Sequence, residues 1–155
     1  MSKTNAIRIL EAQHIAHETI EYAVSEDEID AVSVARKIGA DPDSVFKTLV
    51  ARGDRSGLCV FVIPGPAELH LKKAAAASGD KSVEMIALKE LLPLTGYIRG
   101  GCSPVGMKKL FPTFIDETAQ LFDRIHVSAG ARGVQMLLAV GDLLAVVGGT
   151  YADLI

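Results

Sequence analysis

The sequence predicts an α+β fold in a single domain, and three observations carry that reading. β-prone apolar runs recur along the chain, "VFKTLVA" and "LCVFVIP" most clearly, with segments of helix formers between them. Their order lacks regular strand-helix-strand spacing, so the sheet is expected to be mixed rather than purely parallel. A chain of 155 residues that is 49% apolar can build one substantial core, so residues 1–155 are read as one unit.

Ile7, Ile9, Leu10 and Ala12 follow the capping residues Thr4 and Asn5 and predict an opening helix; His17 to Tyr22 then alternates like a strand. "SEDEID" reads as an acidic loop. A helix follows from about Ala31 to Ile38, which Gly39 ends in a left-handed conformation, and "DPDS" makes a turn. Val45 to Ala51 and "LCVFVIP" form a hairpin around the turn cluster "RGDRSG". Glu68 to Ser78 is expected to be helical up to Gly79, and "ALKELLPL" to be a short helix broken by Pro93. "TFIDETA", "RIHVSAG" and "GVQMLLAV" each contain a β-like segment, and "GDLLAVVGG" closes the chain as a helix.

The net charge is −3 and the charged fraction 23%, so any contact with nucleic acid must come from a local patch rather than from bulk charge. No apolar run approaches the roughly 20 residues of a membrane-spanning helix, and the first residues lack a leader-like apolar stretch. The expectation is a cytoplasmic, reduced protein with no membrane or DNA partner. His14, His17, His70, His126, Cys59 and Cys102 show no metal spacing, and neither metal nor cofactor is expected.

Two places invite chemistry. Lys47 interrupts an apolar β-run, where alternation puts it on the face of Val45 and Leu49. Its stem can pack while its head reaches water, or its charge can sit at a pocket floor to meet a phosphate or carboxylate. The stretch "TGYIRGGCSPVGMKK" places Gly96, Gly100, Gly101 and Gly106 around Ser103 and Pro104. Such a loop is either a multi-glycine turn or a cradle of backbone N–H groups for an oxyanion, with the Ser103 hydroxyl added. Cys102 inside it reads as a small apolar filler or, with a distant partner, a nucleophile. Arg132 lies between two glycines in a turn, and Asp142 is placed to cap the last helix.

Taken together, "FKTLV", "LHLKKAA", "VEM", "TGYIRGGCSPVGMKK", "VSAGARG" and "GDLLAVVGG" resemble, in order, the YbaK/EbsC family of aminoacyl-tRNA editing domains, which are related to the editing insertion of bacterial prolyl-tRNA synthetases. The resemblance implies a mixed, barrel-like sheet with surrounding helices, and hydrolysis of the ester between a wrong amino acid and tRNA, usually cysteine on tRNA(Pro). It implies that Lys47 is the pocket lysine, that Gly100, Gly101, Ser103 and Pro104 form the G-G-x-S-P loop, and that Tyr22 and Asp142 are pocket positions. Gly100 and Gly101 would then supply oxyanion donors, Lys47 would hold the terminal adenosine, and Arg132 and Lys108 would extend the contact along the acceptor end. The implied partners are the acceptor end of a mischarged tRNA and a prolyl-tRNA synthetase. Water or the substrate's own thiol would attack. The rivals are a deacylase for alanine on tRNA(Pro), a non-catalytic RNA-end module, and a hydrolase using Cys102.

Overall fold

The computed structural model describes residues 3–155. The chain runs through α1 (Asn5–Ala12), β1 (His17–Glu21), α2 (Ala31–Ile38), the hairpin β2 (Phe46–Gly53) and β3 (Gly57–Pro64), and α3 (Leu71–Ser78). Then come β4 (Val83–Met85), α4 (Leu91–Thr95), β5 (Thr113–Asp116), β6 (Arg124–Ala131), β7 (Val134–Ala139), α5 (Val140–Val146) and β8 (Thr150–Ala152).

The strands form two sheets. A five-stranded mixed sheet has the order β4-β2-β3-β5-β8, with β5 parallel to both β3 and β8; a three-stranded antiparallel sheet has the order β1-β7-β6. Among the described residues one isolated backbone bridge, between Val45 and His126, links them. The α+β class and mixed sheet therefore hold, whereas a closed barrel does not form.

Period-2 alternation explains why β3 sits at the centre. Val60 and Val62 enter a core shared with Ile125, Val127, Met136 and Leu138 of the second sheet, while Cys59, Phe61 and Ile63 enter another under Ala74 and Ala75 of α3. A strand buried on both faces reads as a continuous apolar run, which is what "LCVFVIP" is. Phe61 also stacks on Phe114 at a centroid distance of 5.5 Å.

Helix ends follow local chemistry. The Thr4 hydroxyl accepts from Ile7 N at 3.2 Å and donates to the Ala129 carbonyl, tying α1 to β6. Gly39 and Gly79 end α2 and α3 in left-handed conformations. Three details differ from the sequence reading. α3 starts at Leu71 because His70 caps it; Pro93 lies in the first turn of α4, where a missing N–H costs nothing; and Ala139, not Asp142, holds the cap position of α5. No helix among the described residues is long and apolar enough to cross a membrane.

Asp80 locks the hairpin turn to the end of α3. One carboxylate oxygen accepts from Arg55 N and Ser56 N, each at 2.8 Å, and the other from the Ser56 and Ser78 hydroxyls at 2.6 and 2.5 Å. These bonds, the Ser56 hydroxyl foremost, hold its pKa well below the usual carboxylate range. The unfolded chain takes up the proton first on acidification, so the stability Asp80 contributes is present above about pH 4 and is lost as the pH falls below that. Asp80→Asn is expected to lower Tm at pH 7, and the gap to wild type is expected to narrow between pH 4 and pH 2 in thermal melts.

Candidate active site

A cavity of about 470 Å³ opens between α2, β2 and the glycine loop, a size suited to a small ligand. Residues 46–50 of β2 form its floor; Ile29, Asp30 and Val34 flank it on one side, and Met85, Leu88 and Leu91 on another. Gly100 and Cys102 reach it from the loop, and Ser128 and Gln135 from the second sheet.

Lys47 lies on this floor, half-buried, its Nζ donating to the Gly65 carbonyl at 3.0 Å. Burial pushes its ammonium below the ordinary lysine pKa, and the carboxylates of Glu68 and Asp30 push back. The charge thus faces the cavity, with no acid side chain in ion-pair contact among the described residues.

The glycine loop is a folded object with its own bonds. Gly100 has φ +83° at the third position of a turn that Gly101 closes by donating its N–H to Ile98 O at 2.9 Å. A Cβ on Gly101 would sit 3.0 Å from the backbone of Ala131 and Arg132, so a larger residue would have to push the loop away from the end of β6. Arg132 Nε donates to Arg99 O at 2.8 Å, and the Tyr97 hydroxyl donates to Val105 O at 2.6 Å. With Gly101 N–H committed to the turn, the cavity-lining loop residues Arg99, Gly100 and Cys102 keep N–H groups that meet no acceptor among the described residues.

Two further polar groups belong to the cavity and escaped the sequence reading. Thr48 Oγ1 and Gln135 Oε1 are both buried without a hydrogen-bond partner, and both residues line the cavity. Among the described residues, no cluster of three His, Cys, Asp or Glu side chains could hold a metal ion.

Residues 26–146 match the family model described as an aminoacyl-tRNA editing domain. The chain belongs to that family. A protein of Enterococcus faecalis proposed as a Cys-tRNA(Pro)/Cys-tRNA(Cys) deacylase, EbsC, is 51% identical over 98% of this chain and 93% of its own length. A proline–tRNA ligase of Shouchella clausii is 30% identical over 76% of this chain, which spans only 20% of that ligase. Among solved structures, a proposed trans-editing enzyme for prolyl tRNA synthetase is 26% identical with a TM-score of 0.83, covering 99% of this chain and 98% of that one. A hypothetical protein 19% identical shares the fold at a TM-score of 0.88, covering 97% of this chain and 99% of that one.

Within this editing domain the expected site residues separate. Lys47 and Gly100 line the main cavity. Tyr22 and Arg132 line a small crevice behind Gly100, which shares Ile29 with the cavity. Gly101, Ser103 and Pro104 are buried in the loop rather than in the cavity wall; the Ser103 hydroxyl accepts from Val105 N at 3.2 Å. Lys108 is exposed and donates to Pro93 O at 3.1 Å, and Asp142 is exposed in the first turn of α5, away from both.

Cys102 does line the cavity, but it is only 8% exposed and burial raises its thiol pKa to about 12. Burial thus favours the protonated thiol, which suits a small apolar filler better than a nucleophile. Cys59 is buried too, its thiol also raised by burial. A thiol-reactive dye at pH 8 is expected to label neither cysteine in the folded protein within minutes, and both after denaturation.

Proposed function

We propose that this editing domain hydrolyses the ester joining cysteine to the 3′ end of tRNA(Pro), using backbone donors and a cavity lysine but no protein nucleophile. The observation that carries the reading is the combination, in one cavity, of the Lys47 ammonium with the uncommitted N–H groups of Gly100 and Cys102. The 51% identical relative proposed as a Cys-tRNA(Pro)/Cys-tRNA(Cys) deacylase supports the choice of amino acid and tRNA.

Cleavage of an ester places negative charge on the carbonyl oxygen in the tetrahedral state. Gly100 and Cys102 N–H groups are the proposed donors to that oxygen; losing one such donor typically costs about 2.7–4 kcal/mol of barrier. Lys47 is proposed to hold a phosphate or hydroxyl of the terminal adenosine, where a cation positions without reading base identity. Arg132, packed on Gly100, keeps the turn in place through Arg99.

The attacking group on this reading is the substrate's own thiolate. Its sulfur bonds to the ester carbonyl carbon, the C–O bond to the ribose breaks, the ribose oxygen takes a proton, and water opens the resulting thiolactone. A held, intramolecular thiol gains the large effective molarity of such reactions. Identity of the tRNA is proposed to come from a prolyl-tRNA synthetase acting alongside, since the segment shared with proline–tRNA ligases is a small part of those proteins.

The test is release of amino acid from Cys-tRNA(Pro), Ala-tRNA(Pro) and Pro-tRNA(Pro), and from Cys on a non-proline tRNA with and without the synthetase. Expected are rapid loss of the cysteinyl ester only, at least a 100-fold drop in Lys47→Ala, a change of less than about twofold in Cys102→Ala, and tRNA selectivity only with the synthetase. Equal loss of cysteinyl and alanyl esters would overturn the thiol route. S-methylcysteinyl-tRNA, which keeps the shape and lacks the thiol, is expected to be resistant; its hydrolysis at the cysteinyl rate would assign the attack to water.

A further inference from the structure

Gln135 occupies an unusual position for a polar side chain. It stands in "VQMLLA" of β7, is only 5% exposed, and directly faces Ser128 across the β6–β7 pair. Ser128 already accepts from Gly130 N at 3.2 Å, whereas Gln135 Oε1 has no partner. Thr48 Oγ1, on the floor of the same cavity, is likewise buried and unpartnered. A buried polar group left without a hydrogen bond costs about 1–3 kcal/mol, so two of them lining one cavity are not a feature of stability. They mark where a ligand supplies donors.

The chemistry of the wall narrows the ligand group. An amide oxygen only accepts, and a hydroxyl accepts as readily as it donates, so the complement is a compact group rich in N–H. An aminoacyl ester has one such group on its amino-acid half, the α-ammonium, with three donors and two bonds from the carbonyl carbon. If the carbonyl oxygen lies on the Gly100 and Cys102 N–H groups, the ammonium must lie in the same cavity, where Phe46, Val50 and Cys102 otherwise present apolar surface. Resting on the function proposed above, we propose that the Gln135 amide, with the Thr48 hydroxyl, is the receptor for the free α-ammonium of the substrate amino acid.

This role sets Gln135 against stability. Gln135→Leu removes an orphaned amide while keeping the volume, so it is expected to leave Tm unchanged or raise it. The same change is expected to lower kcat/KM for cysteinyl ester by about 10- to 100-fold, the usual weight of a hydrogen bond to a charged group, with most of the loss in KM. Gln135→Glu keeps an acceptor and is expected to retain most of the activity.

The decisive comparison uses wild-type protein and two esters of one acceptor-stem RNA of tRNA(Pro): cysteinyl, and 3-mercaptopropionyl, which keeps the thiol and lacks the amine. Each enzymatic rate is divided by the uncatalysed rate, because the ammonium itself activates the ester. Expected is a preference of at least 10-fold for the cysteinyl ester, which Gln135→Leu erases by slowing the cysteinyl ester alone. Equal normalised rates in wild type, or a preference that survives Gln135→Leu, would overturn the assignment while leaving the deacylase reading intact. A large fall in Tm in Gln135→Leu would also count against it, by showing the amide to be already bonded. Failure of wild type to cleave either ester would overturn the deacylase reading itself, and this inference with it.

Discussion

The hydrogen bond from the Tyr97 hydroxyl to the Val105 carbonyl is the constraint on which the cavity depends. It spans the glycine loop from one side to the other, and it is buried, which raises the Tyr97 pKa to about 12 and keeps the phenol a donor. Around it the loop closes on itself: Gly101 N–H bonds Ile98 O, Val105 N bonds the Ser103 hydroxyl, and Lys108 N bonds Thr95 O. Asn5 of α1 adds a bond to the Gly106 carbonyl from outside. Each of these removes a backbone group from solvent, while the cavity-lining Arg99, Gly100 and Cys102 keep N–H groups outside this set among the described residues. The loop's internal bonds therefore fix the place of the N–H groups it leaves open.

The second sheet gives that loop its bed. Ala131 at the end of β6 and Arg132 in the turn after it lie beneath Gly101, and Arg132 in turn holds Arg99. On the far side β2 enters the sheet at Phe46, and Gly65 N–H takes the Val45 carbonyl while Gly65 O takes the Lys47 ammonium. Lys47 is thus held at the hairpin's open end, opposite the buried Ile63, where β2 has no further strand partner to cover it. An inward lysine is tolerated there because its head has both a carbonyl and an open cavity.

Much of this was legible in residues that act locally. Gly39 and Gly79 announce helix ends, Thr4 a helix start, and the "RGDRSG" turn a hairpin, because each depends only on neighbours in sequence. Lys47 was visible as a charge in an apolar run. The illegible parts are long-range. Two sheets rather than one follow from β7 pairing with β1 across more than a hundred residues, which no local pattern encodes. Ser103 and Gly101 looked alike to Gly100 in sequence, yet their polar groups serve the loop. Asp142 looked like a cap, but the helix begins earlier because Val140 is buried and continues the core directly from β7. Gln135 was hidden because a single polar residue in an apolar strand reads as an edge or a solvent face; only the cavity against it reveals its use.

The proposed attack by the substrate's own thiol bears on how such a site tells amino acids apart. Cysteine, alanine and serine differ by one heavy atom at most, and a pocket distinguishes a single methylene by only about 1–3 kcal/mol. The lining of this cavity is largely apolar and would admit all three. On the proposed reading, with Cys102 buried and its thiol pKa raised, no protein group attacks the ester and discrimination moves from binding to reactivity. The side chain that marks the amino acid as wrong is then also the group that removes it. A cavity with that task needs to hold the ammonium, the carbonyl oxygen and the adenosine firmly and the side chain loosely. The polar anchors proposed at Gln135, Gly100 and Lys47 around an apolar centre meet that requirement, and a built-in nucleophile would defeat it by cleaving every ester that fits.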